Sequence, residues 1–388
     1  MLKEALGHPE TAYLACAAIE QLGPEAAPLV PELSALLGTT KHSQLLIQEL
    51  LALAAIGPGA ESAVPQIKPL LATETDATVP VAAAYALGSI GAKDADAELK
   101  AAAEKSDPFL KMIATWAIAK LHPDDQAALK AAVDQLTQGL KNDNVTIRNA
   151  AAKSLQSLKA PPEMVGPALV ELLNDPSPEV HANAIEAIAS LGESVVPKVS
   201  NALTNPKLRD AAIRVLRKLG PKASGAVQPL IEAANGADPK FVTDIQLTLG
   251  AIGPAAAPAT DMLVKAISSK DAGERESALY ALREIGPDAK AAVEPLMQRM
   301  KADDTFDADA AAWALSRIAP SDAQVSAAVV PKLIKGLSAA DEQARLEAVE
   351  ALTDMNATAE ATAALETAAK EDSSEMVRAA AEESLKKE

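Results

Sequence analysis

The sequence predicts an all-α fold in which about twelve helix pairs stack into a right-handed solenoid, and three observations lead to this prediction. A short phrase of Leu or Ile, Gly and Pro recurs about every 33 residues along the chain. Of the 388 residues, 49% are hydrophobic but only 2% are aromatic, so Ala, Leu, Ile and Val must form the core, which suits closely packed helices. No stretch alternates apolar and polar residues over several positions, so the sequence predicts no strands.

The recurring phrase, which we call the closing phrase, predicts where each unit ends. Gly is favoured just past the end of a helix and Pro cannot continue one, so the phrase stops a helix and begins the next unit. Clear copies lie at 22–24, 56–58, 90–91, 191–192, 219–221, 252–254, 285–287 and 318–320. Degenerate copies lie at 121–123 and 158–159, and two more are expected around Leu352 and Leu385.

Each unit contains two predicted helices joined by a short polar turn. The first helix, as in 27–37, has apolar residues at helical spacing and a Pro in its first turn, where the missing N–H costs nothing. The turn is often Asp-rich, as in 174–177, and the second helix, as in 180–191, runs to the closing phrase.

The chain is predicted to form a single continuous solenoid over residues 1–388. The first unit is truncated, because residues 1–6 supply only a stub of a first helix. The last unit ends in the polar stretch 382–388, which suits a capping repeat.

Several second helices begin with the same pattern, as in Ile147-Arg148 followed by Ala151-Ala152 and Leu155, with similar stretches beginning at Leu208-Arg209 and Val377-Arg378. In this pattern they resemble the second helices of HEAT repeats, specifically the short bacterial type also seen in phycobilin lyases. The resemblance covers essentially the whole chain and implies a solenoid whose second helices line the concave side. HEAT repeats are reused for many tasks, so the resemblance indicates the fold far more than the function.

Composition and motifs argue against catalysis and against several partners. The 53 acidic and 36 basic residues give a net charge of −17, which repels nucleic acids and anionic lipids. The single cysteine, Cys16, excludes a disulfide framework and replaces a consensus alanine on a packed face, so we expect it to be buried. No common catalytic, nucleotide-binding or metal-binding motif is present, nor the His-Glu dipeptides that hold iron in HEAT-type hydroxylases. We therefore expect no enzymatic activity, no cofactor, no metal and no nucleic-acid partner.

The same features bear on the cellular location. No run of eighteen apolar residues exists, so we expect no membrane insertion. Residues 1–6 lack the apolar core of a signal peptide, which favours a soluble cytoplasmic protein unless a signal segment has been removed.

The rare aromatic residues concentrate on one face of the second helices. Positions ten and six residues before the second residue of the closing phrase, which we call the ridge, are predicted to face the concave groove. The ridge is apolar in the first four units and carries a second aromatic spot further on; a basic cluster lies between them. The predicted partner-binding residues are Tyr13, Ile47, Leu51, Tyr85, Phe109, Met112, Trp116, Arg209, Arg214, Lys218, Tyr280, Phe306 and Trp313.

The leading hypothesis is a non-enzymatic scaffold that binds a partner protein or peptide through this concave groove. Three alternatives stay open. Resemblance to phycobilin lyases implies a tetrapyrrole-handling protein. The apolar N-terminal repeats instead suggest self-association, or packing against an upstream domain of a larger chain. Finally, tight curvature of the solenoid would bury the ridge against neighbouring second helices, in which case the aromatics would serve only packing.

Overall fold

The computed structural model describes residues 2–74, 76–158, 160–301, 305–355 and 358–386. Throughout these ranges the secondary structure is helical, with α-helices and short 3-10 turns and no strand, so the predicted all-α class is confirmed. The chain divides into two compact units, residues 1–191 (unit 1) and 192–388 (unit 2). The prediction of one continuous solenoid over both units stays a prediction.

In unit 1, short first helices alternate with longer second helices. The helices are α1 (Leu2–Leu6), α2 (Ala12–Leu22), α3 (Val30–Leu37), α4 (Ser43–Ile56), α5 (Val64–Ile67), α6 (Thr78–Ile90), α7 (Asp96–Ala103), α8 (Pro108–Leu121), α9 (Gln126–Gly139), α10 (Val145–Leu158), α11 (Pro162–Glu171) and α12 (Pro178–Ser190). Even-numbered helices are the predicted second helices, and α1 is the short stub that the sequence predicts.

Unit 2 continues the same alternation. Its helices are α13 (Val196–Ala202), α14 (Arg209–Leu219), α15 (Val227–Ala234), α16 (Pro239–Ile252), α17 (Thr260–Ala266), α18 (Ala272–Ile285), α19 (Val293–Arg299), α20 (Thr305–Ile318), α21 (Ala323–Gly336), α22 (Glu342–Asp354), α23 (Ala359–Glu371) and α24 (Glu375–Leu385). Within each unit the second helices contact one another more extensively than the first helices do. The second helices therefore form one packed layer within each unit.

The closing phrases end the second helices as predicted. Gly57 after α4 and Gly253 after α16 have φ of 70° and 76°, a region that L-residues with a side chain rarely adopt. Each glycine leads into a 3-10 turn, so the helical stretches 43–72 and 239–266 change direction partway along. Both stretches are long and apolar enough to cross a membrane by length and composition alone, yet 56% and 44% of the relevant windows are buried. Since α4 and α16 end at these glycines, the stretches fit core helices of a solenoid.

The core consists of small and aliphatic side chains, as the composition predicts. Leu33, Leu50 and Ile56 are fully buried, and so are many alanines that let neighbouring helices approach closely. Cys16 is also fully buried, in agreement with the prediction for this residue. Burial, together with the nearby Glu49 carboxylate, raises the pKa of the Cys16 thiol to about 12, so it stays protonated and unreactive at neutral pH.

The consensus arginine at the start of a second helix joins one repeat to the next. In α10, Arg148 donates from Nε and Nη2 to the Asp175 carboxylate at 2.6 and 3.1 Å, and from Nη1 to two carbonyls of its own turn. In α22, Arg345 bonds in the same way to Asp372, at 2.9 and 3.2 Å. Such bidentate pairs fix the register between successive helix pairs.

Candidate partner-binding groove

Four of the predicted partner-binding residues of unit 1 line one groove. Ile47 and Leu51 of α4, Tyr85 of α6 and Phe109 of α8 face a shared cavity of about 420 Å³, which we call the unit 1 groove. The remaining lining residues are Glu20, Thr78, Val81, Ala82, Ile113, Thr146, Asn149, Ala150 and Lys153. Second helices α2, α4, α6, α8 and α10 all contribute, so the groove runs across the layer of second helices. The sequence interpretation left Ile113 off the ridge, because it follows a ridge position by one residue.

The unit 1 groove has an apolar floor and charged ends. Glu20 lies on α2, the first helix that contributes, and Lys153 lies on α10, the last. Glu20 accepts a hydrogen bond from Nε2 of Gln48 at 2.6 Å, which holds its carboxylate in place. Burial raises the pKa of the Tyr85 phenol, so this ring is neutral at physiological pH. The groove therefore offers apolar surface between one acidic and one basic side chain.

Trp116 was predicted to be an exposed anchor, and this prediction is wrong. Its side chain is only 1% exposed. The indole N–H donates to the Ser154 carbonyl at 3.1 Å and to Oγ of Ser157 at 2.9 Å, both on α10. Its ring stacks on Tyr85, with centroids 5.1 Å apart and planes 17° apart. Trp116 therefore supports the wall of the groove from behind, as the alternative based on tight curvature predicts.

A glycine on the preceding second helix explains why Trp116 is buried. A Cβ at Gly88 would lie 2.7 Å from the Trp116 ring, so only glycine allows the ring to approach α6 this closely. Trp313 occupies the same register position in α20, but Arg283 stands where Gly88 stands in unit 1, and Trp313 is only half-buried. The sequence contains this signal: glycine lies three positions before Gly91, whereas arginine lies three positions before Gly286. Comparing these two positions would have predicted that Trp116 is more buried than Trp313.

Met112 was also predicted to face the groove, and it too is buried, with 2% of its surface exposed. A Cβ at Gly139 of α9 would overlap the Met112 sulfur, so the methionine packs directly on this glycine. Met112 on α8 therefore points toward α9 of the next helix pair. How far a side chain at such a ridge position is exposed depends on the size of the residue that faces it on the neighbouring helix.

The predicted aromatic spot of unit 2 is only partly one surface. Phe306, 53% exposed, and the half-buried Trp313 line a second cavity of about 390 Å³, which we call the unit 2 cavity. Tyr280 is 41% exposed but lies over Gly250 and does not line this cavity. Tyr13, 48% exposed, likewise lies outside the lining of the unit 1 groove. The predicted aromatic residues therefore do not share one surface: some line the two cavities, while Tyr13 and Tyr280 lie outside them.

The basic cluster of unit 2 is partly neutralised by acidic neighbours. Arg209 donates to Asp238 at 3.2 Å, and its guanidinium lies 4.4 Å above the Phe241 ring. Arg214 is exposed, and its Nε donates to a backbone carbonyl of its own helix at 3.4 Å. Lys218 is exposed as well. The prediction that these three residues bind an acidic segment stays untested.

Groups that could hold a metal ion or carry charge are few in the described part of the chain around these sites. Within the described ranges, no group of three or more His, Cys, Asp or Glu residues is arranged to hold a metal ion. The lining of the unit 1 groove contains one carboxylate, Glu20, and one amine, Lys153.

The family model for HEAT repeats matches residues 64–156, 166–250 and 294–386. These stretches cover most of the chain, and the chain therefore belongs to the HEAT-repeat family. This result confirms the resemblance stated for the second helices at the level of the repeat type. The count of about twelve units stays a prediction. A comparison with curated protein sequences finds no match.

Solved structures with a similar fold include those of karyopherins. Kap95p with RanGDP has a TM-score of 0.62 and 13% identity, covering 99% of this chain and 62% of Kap95p. Yeast importin-beta (Kap95p) has a TM-score of 0.60 and 13% identity, covering 97% of this chain and 56% of that structure. Karyopherin Kap121p bound to the SUMO protease Ulp1p has a TM-score of 0.57 and 12% identity, covering 98% and 47%. The chain thus spans less than two thirds of these structures. At such identities the likeness shows the fold alone, and it confirms the predicted solenoid.

Proposed function

We propose that this HEAT-repeat protein is a non-enzymatic scaffold that holds a segment of a partner protein in the unit 1 groove. The observation that carries the proposal is the groove itself, in which ridge residues of successive second helices combine into one apolar surface of about 420 Å³. Apolar concave surfaces of this kind bind helices or extended peptides through a few side-chain anchors. Leu51 and Phe109 are the anchor contacts we assign, and Ile47 and Tyr85 line the same groove.

The charges at the two ends favour one direction of the bound segment. Glu20 pairs best with a basic residue of the partner, and Lys153 pairs best with an acidic one. Protein binding is also a use of this fold in Kap121p, whose solved structures include complexes with Ulp1p and Pho4p. That likeness supports protein binding in general and says nothing about the identity of the partner.

A displayed peptide library, selected against the immobilised protein, tests the proposal. A selected peptide should bind the variant Leu51→Glu at least about tenfold more weakly than the wild type, since the substitution places a charge in the apolar floor. Met376→Glu is the matched control, because Met376 is 62% exposed on α24 of unit 2 and adds the same charge elsewhere. If no selected peptide depends on Leu51, the unit 1 groove is not the binding site.

No feature described for the unit 1 groove favours the alternative of a tetrapyrrole-handling protein. Its covalent form needs an accessible nucleophile, and burial of Cys16 raises the pKa of the one thiol of the chain to about 12. Protein binding through the groove is therefore the function that the geometry supports best.

A further inference from the structure

A stretch of unit 2 repeats a stretch of unit 1 at one constant spacing. The matching residues include Phe109 and Phe306, Trp116 and Trp313, Asp125 and Asp322, Gly139 and Gly336, and Arg148 and Arg345. The helices match as well: α8, α9 and α10 correspond to α20, α21 and α22. Asp125 and Asp322 cap α9 and α21 in the same way, each accepting from two backbone N–H groups. The two stretches can therefore be compared residue by residue.

The comparison shows one important difference, at the place where α8 packs on α9 in unit 1 and α20 packs on α21 in unit 2. Unit 1 has Met112, which is buried and packs on Gly139. Unit 2 has Asp309 at the matching position. A Cβ at Gly336 would meet only Ala348, at 3.1 Å, among the described residues. In unit 1 the Met112 side chain occupies the space beside Gly139. At the matching place, unit 2 contains the unit 2 cavity of about 390 Å³, which both Asp309 and Gly336 line.

The floor of the unit 2 cavity is apolar. Leu333 and Gly336 of α21 and Ala344 of α22 lie across from Ala312 and Trp313 of α20. Leu333 is almost fully buried, whereas Trp313 is half-buried and lines the cavity. These are the surroundings in which a flexible, unbranched apolar side chain packs well, as Met112 does in unit 1.

The rim of the cavity is acidic. Asp309, Asp341 and Glu347 line it, with Lys332 as the basic member. Lys332 is paired with Asp309 at 2.8 Å. Asp341 caps α22 by accepting from the Ala344 N–H at 2.9 Å, and the half-buried Glu347 accepts from Nε2 of Gln343 at 3.3 Å. The three carboxylates outnumber the one amine by two, so the rim carries a net negative charge. This charge favours a ligand that has a basic residue next to the apolar side chain it inserts.

We propose that the unit 2 cavity binds a methionine side chain of a partner protein, presented by a segment with lysine or arginine next to the methionine. In this way the partner supplies in trans what Met112 supplies in cis in unit 1. This inference goes beyond the proposed function of the unit 1 groove and does not depend on it, because the two sites share no lining residue.

The two tryptophans give the cavity its own optical signal. Trp116 is buried, so the emission that acrylamide quenches comes from Trp313. The probe is a short synthetic peptide with one central methionine flanked by lysines. The expected result is that the peptide protects Trp313 from acrylamide. The same peptide with aspartate in place of methionine should bind at least about tenfold more weakly.

The variant Asp309→Met tests the inference from the side of the protein. This variant introduces into the unit 2 cavity the same side chain that occupies the matching space in unit 1. It should therefore reduce acrylamide quenching of Trp313 in the absence of peptide. It should also weaken binding of the peptide at least about tenfold. Asp309→Ala is the second variant. It removes the same carboxylate but leaves the cavity open, so binding of the methionine peptide should persist. Circular dichroism of both variants separates a loss of binding from a loss of fold.

Three results would overturn the proposal. The first is unchanged peptide binding and Trp313 quenching in a folded Asp309→Met protein. The second is loss of peptide binding in Leu51→Glu, which would place the peptide in the unit 1 groove. The third is a wild-type dimer that Asp309→Met converts to a monomer, which would show that a second copy occupies the cavity. Since Leu51→Glu and Asp309→Met address different sites, failure of this inference and failure of the proposed function are distinguishable.

Discussion

At the scale of single residues, the buried carboxyl group of Glu49 lowers the stability of the folded state when it is charged. It lies fully buried on α4. Its Oε1 accepts a hydrogen bond from the Thr40 hydroxyl at 2.5 Å, while Oε2 has no hydrogen-bond partner among the described residues. Burial outweighs the Thr40 hydrogen bond and raises the pKa of Glu49 from 4.5 to about 7. A charged carboxylate at this place disfavours the folded state.

The stability of the protein should therefore depend on pH through Glu49. The folded state holds the proton more tightly than the unfolded state, so the free energy of unfolding falls as the pH rises from about 4.5 to about 7. The total loss from this group is roughly 3 kcal/mol. Glu49→Gln keeps the neutral form and should remove that slope in urea titrations at several pH values. Glu25→Gln, at an exposed glutamate, is the control and should keep it. An unchanged slope in Glu49→Gln would contradict the prediction.

At the scale of helices and repeats, side chains that reach the next repeat hold the stack together. Arg345 connects α22 to the turn before α24 through Asp372, and both side chains are nearly buried. The hydrogen bond from the Arg345 guanidinium holds the pKa of Asp372 below its usual value despite the opposing effect of burial. The consensus arginine is visible in the sequence, but its partner lies in another repeat, so the pairing was not predicted.

Breaking this link should destabilise unit 2. Arg345→Ala leaves the Asp372 carboxylate without its guanidinium, and we expect the free energy of unfolding to fall by about 3 kcal/mol at pH 7. Because the pKa of Asp372 is lowered in the folded state, the difference between variant and wild type should shrink as the pH falls below about 3.8. Urea unfolding measures both effects. Lys370→Ala, at an exposed lysine, is the control. Equal stability of Arg345→Ala and wild type would show that packing alone sets the register.

At the scale of the whole molecule, α2 presents an uncovered apolar face. Tyr13, Leu14 and Leu22 are 48%, 68% and 44% exposed, an unusual concentration in a chain whose other large apolar side chains are mostly buried. Later second helices of unit 1, such as α6, pack between two other second helices. This face fits the prediction that the N-terminal repeats associate with another surface, either a second copy or an upstream segment.

We predict that the protein self-associates through this face. The mass measured by light scattering after size-exclusion chromatography should rise with concentration, because exposed apolar side chains favour association. Leu14→Glu should keep the protein monomeric, and Met376→Glu, which changes an isolated exposed methionine, should not. A wild-type monomer at all concentrations would assign the face to something other than a second copy.

The sequence by itself determined the repeating architecture. Closing phrases, proline-started first helices and a core of Ala, Leu, Ile and Val are local patterns, and local backbone preferences and helical periodicity suffice to interpret them. They also located the apolar part of the ridge, where Ile47, Leu51 and Tyr85 share one groove.

Only the tertiary structure decided which ridge residues are accessible. Trp116 and Met112 are buried because Gly88 and Gly139, on other helices, leave room for them, and Trp313 is not buried to the same extent. The unit 2 cavity exists because Asp309 replaces a methionine opposite such a glycine. Periodicity shows which way a side chain points, whereas its burial depends on the size of a residue in the neighbouring repeat. That dependence is the physical reason why the sequence predicted the scaffold better than the surface it presents.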